Sequence, residues 1–148
     1  EFAKKIKNLG YLVKLDTNGS NPEMLEKMIS ENLVDYIAMD IKAPIERYSE
    51  IANCRIDEKN IKKSIEILKE KAPDYELRTT FVKNQLNDED FEKIGDMIKG
   101  SKRFFIQKFA SSKALNDKSF ETRQSPDNIA LERIKKIMLR YIDEVNVR

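Results

Sequence analysis

Two hydrophobic rhythms alternate along the chain. Short runs of period two recur at Tyr11–Asp16, Asp35–Ile41, Tyr75–Phe81 and Arg103–Phe109, and each reads as a strand. Between them the apolar residues return every three or four positions, the spacing of one helix face. Met24, Leu25, Met28 and Ile29 make the first such stripe, with Asn21-Pro22, or Ser20 with Glu23 three residues on, as its start signal. Ile61, Ile65 and Leu68 make the second, over about Glu58 to Lys71. A third helix is predicted over about Asp88 to Lys99 with Asn87 as cap. A fourth follows Ser125-Pro126 and carries Ile129, Ile134, Ile137, Met138 and Tyr141. Phe2, Ile6 and Leu9, stopped by Gly10, read as a helix entered partway, and Val145–Val147 as a short final strand or extended tail. The segment with Pro44 and Cys54, and a polar stretch of about a dozen residues after Phe109, read as loops. Strands alternating with helices on short connections predict an α/β fold: a parallel sheet with right-handed crossovers, either doubly wound or part of a β/α barrel. No linker divides it, so residues 1–148 are expected to form a single domain.

Sorting each strand by parity separates two faces. One parity holds Val13, Leu15, Ile37, Met39, Ile41, Leu77, Phe81, Phe104 and Ile106, and suits helix packing. The other holds Lys14, Asp16, Ala38, Asp40, Lys42, Glu76, Arg78, Thr80, Phe105 and Gln107. A parallel sheet covered on both sides reads as continuous Val, Ile and Leu, and a filled barrel has an apolar interior. This second face is no dry core. Burying an uncompensated charge costs several kcal/mol, so these residues either pair with one another or hold a polar ligand. Their charges gather at strand C-terminal ends, where β/α folds place ligands, and Asp16 and Thr17 sit where a loop would present them.

Composition narrows the chemistry. Lys and Arg number 28 against 26 Asp and Glu, so a net charge of +2 gives no broad field for nucleic acid or anionic membranes. Lys62-Lys63 and Lys135-Lys136 are interspersed with acids and lack aromatic platforms, which argues against nucleic-acid binding. No apolar run approaches the roughly 20 residues of a membrane span, and no signal pattern opens the chain, so it is expected to be cytoplasmic. The absence of histidine and the single cysteine, Cys54, exclude a self-contained zinc site, an internal disulfide and a Ser-His-Asp triad. The 36% charged content, rich in Lys and Glu, suits a thermophile's surface. Asn18-Gly19 is ordinary turn chemistry, Cys54 beside Arg55 reads as a small hydrophobe, and the Lys/Glu run from Glu58 to Lys71 as a solvated helix face.

The segments "KLDTNGSNPEML", "LVDYIAMDIKAP" and "YELRTTFV", in that order, resemble the radical S-adenosylmethionine activating enzymes of glycyl-radical proteins, and among them most the activating proteins of anaerobic ribonucleoside-triphosphate reductase. The resemblance covers nearly the whole chain. It implies a partial (β/α) barrel of six units, of which this chain would supply about four parallel β-α units from the C-terminal part. It places Asp16, Thr17, Asp40, Lys42 and Arg78 around the methionine end of S-adenosylmethionine, with Gln107 toward the adenosine or ribose. In some relatives the aspartate positions also help hold a monovalent cation. A ligand with carboxylate, amine and sulfonium groups wants both charge signs at short range, which Arg or Lys beside Asp supplies.

The sequence departs from that family's pattern at several places. The three-cysteine loop that holds the 4Fe-4S cluster has no counterpart, and neither has the Gly-Gly-Glu segment that receives the amino group. "IQKFASSK" lacks a histidine that some relatives carry there, and "FVKNQL" stands where a Pro-Gly turn is usual. The resemblance therefore implies the C-terminal part of a longer enzyme, inactive when alone. That enzyme would take electrons from a donor such as flavodoxin or ferredoxin, cleave S-adenosylmethionine reductively and abstract hydrogen from a glycine of its partner protein. The competing expectation is a noncatalytic interaction or scaffold domain whose polar face is internally paired.

Overall fold

The computed structural model describes residues 1–111 and 118–148. Six helices, α1 (Phe2–Asn8), α2 (Pro22–Ser30), α3 (Tyr48–Ala52), α4 (Glu58–Lys71), α5 (Asp88–Ile98) and α6 (Asn128–Met138), alternate among the described residues with five strands. The strands are β1 (Lys14–Thr17), β2 (Tyr36–Asp40), β3 (Tyr75–Phe81), β4 (Phe104–Lys108) and β5 (Val145–Val147). Two short 3-10 turns, Ile45–Arg47 and Lys118–Phe120, complete the set. Residues 112–117, within the polar loop expected after Phe109, lie outside the described part.

All five strands are parallel and lie in chain order, β1-β2-β3-β4-β5. Successive right-handed crossovers that always step the same way put every crossover helix on one side of the sheet. The doubly wound alternative, which needs a reversal of strand order, is thereby excluded. On the helical side Ile37, Met39, Leu77, Phe104 and Ile106 meet Ile61, Leu68, Phe91, Ile94, Ile134 and Met138 in one apolar core, with α2 against α4 and α5 against α6. Each such side chain taken out of water stabilises the fold by about 1.5–3 kcal/mol. Among the described residues, no crossover helix lies on the opposite face of the sheet.

The start signals act as their chemistry dictates. Asn21 accepts from the Met24 amide with Pro22 at the first helical position. Asn87 and Asp90 form a reciprocal capping box at the start of α5, and Asp127 accepts from the Ala130 amide at the start of α6.

Two expectations need correction. The first strand begins at Lys14 rather than Tyr11: Tyr11 and Leu12 are exposed, and the only strand beside β1 is β2, whose ladder reaches no lower than Lys14 opposite Tyr36. The segment read as a loop around Pro44 and Cys54 contains α3, a single turn fixed by the buried Tyr48. Its shortness hides it from periodicity. Val145–Val147, expected as a short final strand or an extended tail, is a strand that pairs with β4 as the fifth member of the sheet.

Candidate functional site

The face of the sheet away from the crossover helices is built by the polar parity of β1 to β4. Asp40 pairs in register with Arg78, while Asp16 pairs with Ala38 and so stands level with Glu76, one same-face position lower on the edge strand. Arg78 joins them: its Nη1 lies 2.6 Å from Asp16 Oδ1 and its Nε 2.5 Å from Asp40 Oδ1. Lys42 follows β2 and donates to Asp40 Oδ2 at 2.8 Å. Lys14 approaches Asp16 at 3.7 Å. Four of the residues expected at a ligand site, Asp16, Asp40, Lys42 and Arg78, therefore converge.

Thr17 and Gln107 stand apart from that group. Thr17 falls on the parity of Leu15, opposite to Asp16, and its hydroxyl accepts the Gly19 amide at 3.1 Å, a turn role. Gln107 shares the face of Arg78 one strand on, in register with Thr80 and higher along the strand direction.

Below Arg78 and Asp40, level with Asp16, lies Glu76, which sequence reasoning sorted to this face without assigning it a role. The Glu76 side chain is only 4% exposed and is met by Arg148, whose Nη2 bonds Oε1 and whose Nη1 lies 3.4 Å from Oε2. Tyr36 donates its hydroxyl to Glu76 Oε2 at 2.7 Å, and Arg103 in turn donates to that hydroxyl at 3.3 Å. The Arg148 guanidinium stacks 4.2 Å from the centre of the Phe105 ring. Arg148, the last residue, sits far from Glu76 in the chain, and only the pairing of β5 brings it there. A parity list built from four strands had no signal for it.

The electrostatics follow from these contacts. Burial alone would raise the Asp40 pKa, but the hydrogen bonds from Lys42 and Arg78 outweigh it and hold the carboxyl below its usual range. Glu76 is lowered in the same way: burial opposes ionisation, and Arg148 and Tyr36 overcome it. Burial would make Arg78 easier to deprotonate, yet Asp40 and Asp16 hold its pKa above the usual value, so it stays charged. Asp40, Arg78 and Glu76 are thus ionised at neutral pH.

Exposure decides what the cluster can do. Arg78 is 14% exposed and Asp40 27%, whereas Lys42 is 42% and Asp16 52% exposed. The C-terminal end of the face is half open and offers carboxylates and cations within one side chain's reach. Glu76 at the centre of the face is covered and neutralised, whereas Lys14 at the start of β1 is 48% exposed. Cys54, by contrast, is exposed in the loop after α3, and among the described residues no group of three or more Cys, Asp or Glu is arranged to hold a metal ion. No described helix is long and apolar enough to cross a membrane. A cleft of about 760 Å³ lies between the starts of α5 and α6, but its acids are taken up as caps or by Arg47, Lys93 and Arg133.

No family model matches the chain. Over 152 aligned positions it is 37% identical to a Methanocaldococcus jannaschii protein provisionally named a glycyl-radical enzyme activating enzyme. The match takes in 100% of this chain and 63% of that relative's length. In structure it superposes on a domain of pyruvate-formate lyase-activating enzyme from Bacteroides vulgatus with a TM-score of 0.72, covering 99% of this chain and 87% of that domain at 11% identity. That likeness establishes a shared fold. The chain is thus similar along its whole length to a protein named as a glycyl-radical enzyme activating enzyme, and it has the fold of a domain of a pyruvate-formate lyase-activating enzyme.

Proposed function

We propose that this chain is the S-adenosylmethionine-binding C-terminal part of a radical activating enzyme for a glycyl-radical protein, with anaerobic ribonucleotide reductase as the partner its motifs resemble most. The observation that carries the reading is the Asp16–Arg78–Asp40–Lys42 cluster, half open at the C-terminal ends of adjacent parallel strands. The singly wound order and bare polar face support an open barrel whose lumen is that face.

The donor set fits the methionine end of S-adenosylmethionine. Arg78 and Lys42 would hold its carboxylate by charge-assisted hydrogen bonds, and Asp16 and Asp40 would accept from its ammonium and face its sulfonium. The Asp16 and Asp40 carboxylates would also suit a monovalent cation. Thr17 would contribute by holding the turn after β1, and Gln107 by meeting the adenosine or ribose. When bound and reduced, this ligand supplies a carbon-centred radical that can take hydrogen from a glycine. The chain's own part is to bind and orient it while Glu76, Tyr36 and Arg148 close the floor beneath.

A 4Fe-4S cluster does not fit this donor set, because one exposed cysteine cannot supply the thiolates it needs. Cluster ligands, and the docking of an electron donor such as flavodoxin or ferredoxin, would belong to further chain in a longer enzyme. The share of the relative's length left unmatched is consistent with that.

One observation favours a second reading, a noncatalytic scaffold domain: the charges of the cluster already satisfy one another. Calorimetric titration with S-adenosylmethionine separates the two. The activase reading expects saturable binding that Asp40→Asn weakens at least tenfold. Absence of saturable binding at millimolar ligand, or affinity indifferent to Asp40→Asn, would overturn it in favour of the scaffold.

A further inference from the structure

The turn that presents Asp16 is fastened from a distance. β1 is an edge strand with one strand neighbour, β2, so no second ladder fixes the position of its C-terminal end. Helix α4 does so instead. Ser64, fully buried, donates its hydroxyl to the Gly19 carbonyl at 2.8 Å, and Asn60 Nδ2 donates to the Ser20 carbonyl at 3.2 Å. Gly19 has a φ of +74°, and a Cβ there would lie 2.0 Å from Met39 Cε, so the turn backbone rests directly on the core.

Ser64 is unusual for its surroundings. It shares the buried side of α4 with Ile61, Ile65 and Leu68, where an apolar residue would bury its surface with no polar group to satisfy. A helical serine commonly returns its hydroxyl to a carbonyl one turn back. Here the hydroxyl crosses to a residue 45 positions away. The end of β2 is clamped similarly, by Thr79 donating to the Ile41 carbonyl at 2.8 Å and Tyr48 to the Asp40 carbonyl at 3.1 Å. But β2 also has a strand on each side. Only for β1 does the clamp replace a missing neighbour.

We infer that Ser64 is a positioning residue for Asp16: it sets the height of the turn after β1 and so keeps the Asp16 carboxylate against Arg78 and open to ligand. Its effect on binding rests on the S-adenosylmethionine reading above, whereas its effect on the Asp16–Arg78 contact does not. The test therefore has two arms.

In the first arm, NMR hydrogen exchange follows the amides of Gly19 and Ser20 and the Nη protons of Arg78. Ser64→Ala is expected to speed all of them about fivefold to tenfold, as one lost hydrogen bond would, while Ser64→Thr, which keeps the hydroxyl, restores slow exchange. Asn60→Ala, at a half-buried position, is expected to give a smaller change of the same kind. If Ser64→Ala does not fold, Asn60→Ala decides the matter. Unchanged Arg78 Nη exchange in whichever variant is read overturns the inference.

In the second arm, ligand affinity is measured for Ser64→Ala with Asp16 present and in an Asp16→Asn background. A loss confined to the Asp16 background supports the positioning role, and an equal loss in both overturns it. If the unaltered protein binds no S-adenosylmethionine, the ligand reading falls, and the first arm still decides the role of Ser64.

Discussion

Replacing Arg78 by Met keeps much of its volume and removes the one cation shared by Asp16 and Asp40. Breaking a fully buried ion pair costs about 3–5 kcal/mol because the partner charge is left uncompensated. Two features reduce that here. Asp40 keeps Lys42 at 2.8 Å, and Asp16 is half exposed, where an ion pair is worth about 0–1 kcal/mol. The expected loss is therefore about 2 kcal/mol at pH 7, which lowers a urea midpoint by about 1 M at an m-value of about 2 kcal/mol/M. The pH dependence has a definite sign. The Asp40 pKa is depressed in the folded state, so its contribution is complete above the unfolded value near 4 and is lost as pH falls through the folded one. The gap between the unaltered protein and Arg78→Met should be smaller at pH 3 than at pH 7, because the unfolded chain is then largely protonated at this position and the advantage of ionised Asp40 shrinks as pH falls toward its depressed folded pKa. Urea unfolding at both pH values measures it. A loss under about 0.5 kcal/mol at pH 7, or one equally large at pH 3, would refute the view that Arg78 works by holding ionised carboxylates together.

Two further outcomes test the packing. Gly95→Ala would place a Cβ 2.3 Å from the Tyr141 ring, wedging α5 from α6, and overpacking should outweigh the better helix propensity by about 1–2 kcal/mol; a thermal melt should fall by about 3–6 °C, and an unchanged or raised Tm would show that Tyr141 swings aside. At the β1 edge, open backbone groups and the exposed Phe2, Leu9, Tyr11 and Leu12 should drive self-association at high concentration, or rapid hydrogen exchange through residues 1–17, with Leu12→Glu reducing the association. Sedimentation of a monomer whose Tyr11–Asp16 amides exchange slowly would mean that its own chain covers this edge.

The sequence announced what local physics controls. The α4 and β3 boundaries match their predicted ranges because an unbroken apolar stripe and a strict alternation each outlast any competing signal. Parity alone brought Asp16, Asp40 and Arg78 to one face, since the period of two is a property of the strand and needs no knowledge of its neighbours. What stayed hidden depends on partners distant in the chain. The true start of β1 is set by how far β2 extends beside it. Thr17 was grouped with Asp16 as a residue of the loop after the strand and by family resemblance, whereas it lies within β1 on the opposite parity, because the β2 ladder extends as far as Thr17 opposite Met39. Ser64 gave only a buried-side serine in a helix, and its partner 45 residues away could not be read from spacing.

The exposure of the polar face bears most directly on which reading of the molecule is right. Glu76, on the central strand β3, is covered by Arg148, Phe105 and Tyr36, while Asp16, level with it on the edge strand β1, and Lys42, beyond the end of β2, remain about half exposed. Pairing at the covered position removes the cost of buried charge. Pairing at the exposed positions gains little, because water screens it. Charges of both signs are therefore held where they stabilise the fold least and a zwitterionic ligand could use them most. That distribution supports the ligand-binding reading over the scaffold, and it locates the disagreement between them in a single cluster that titration can probe.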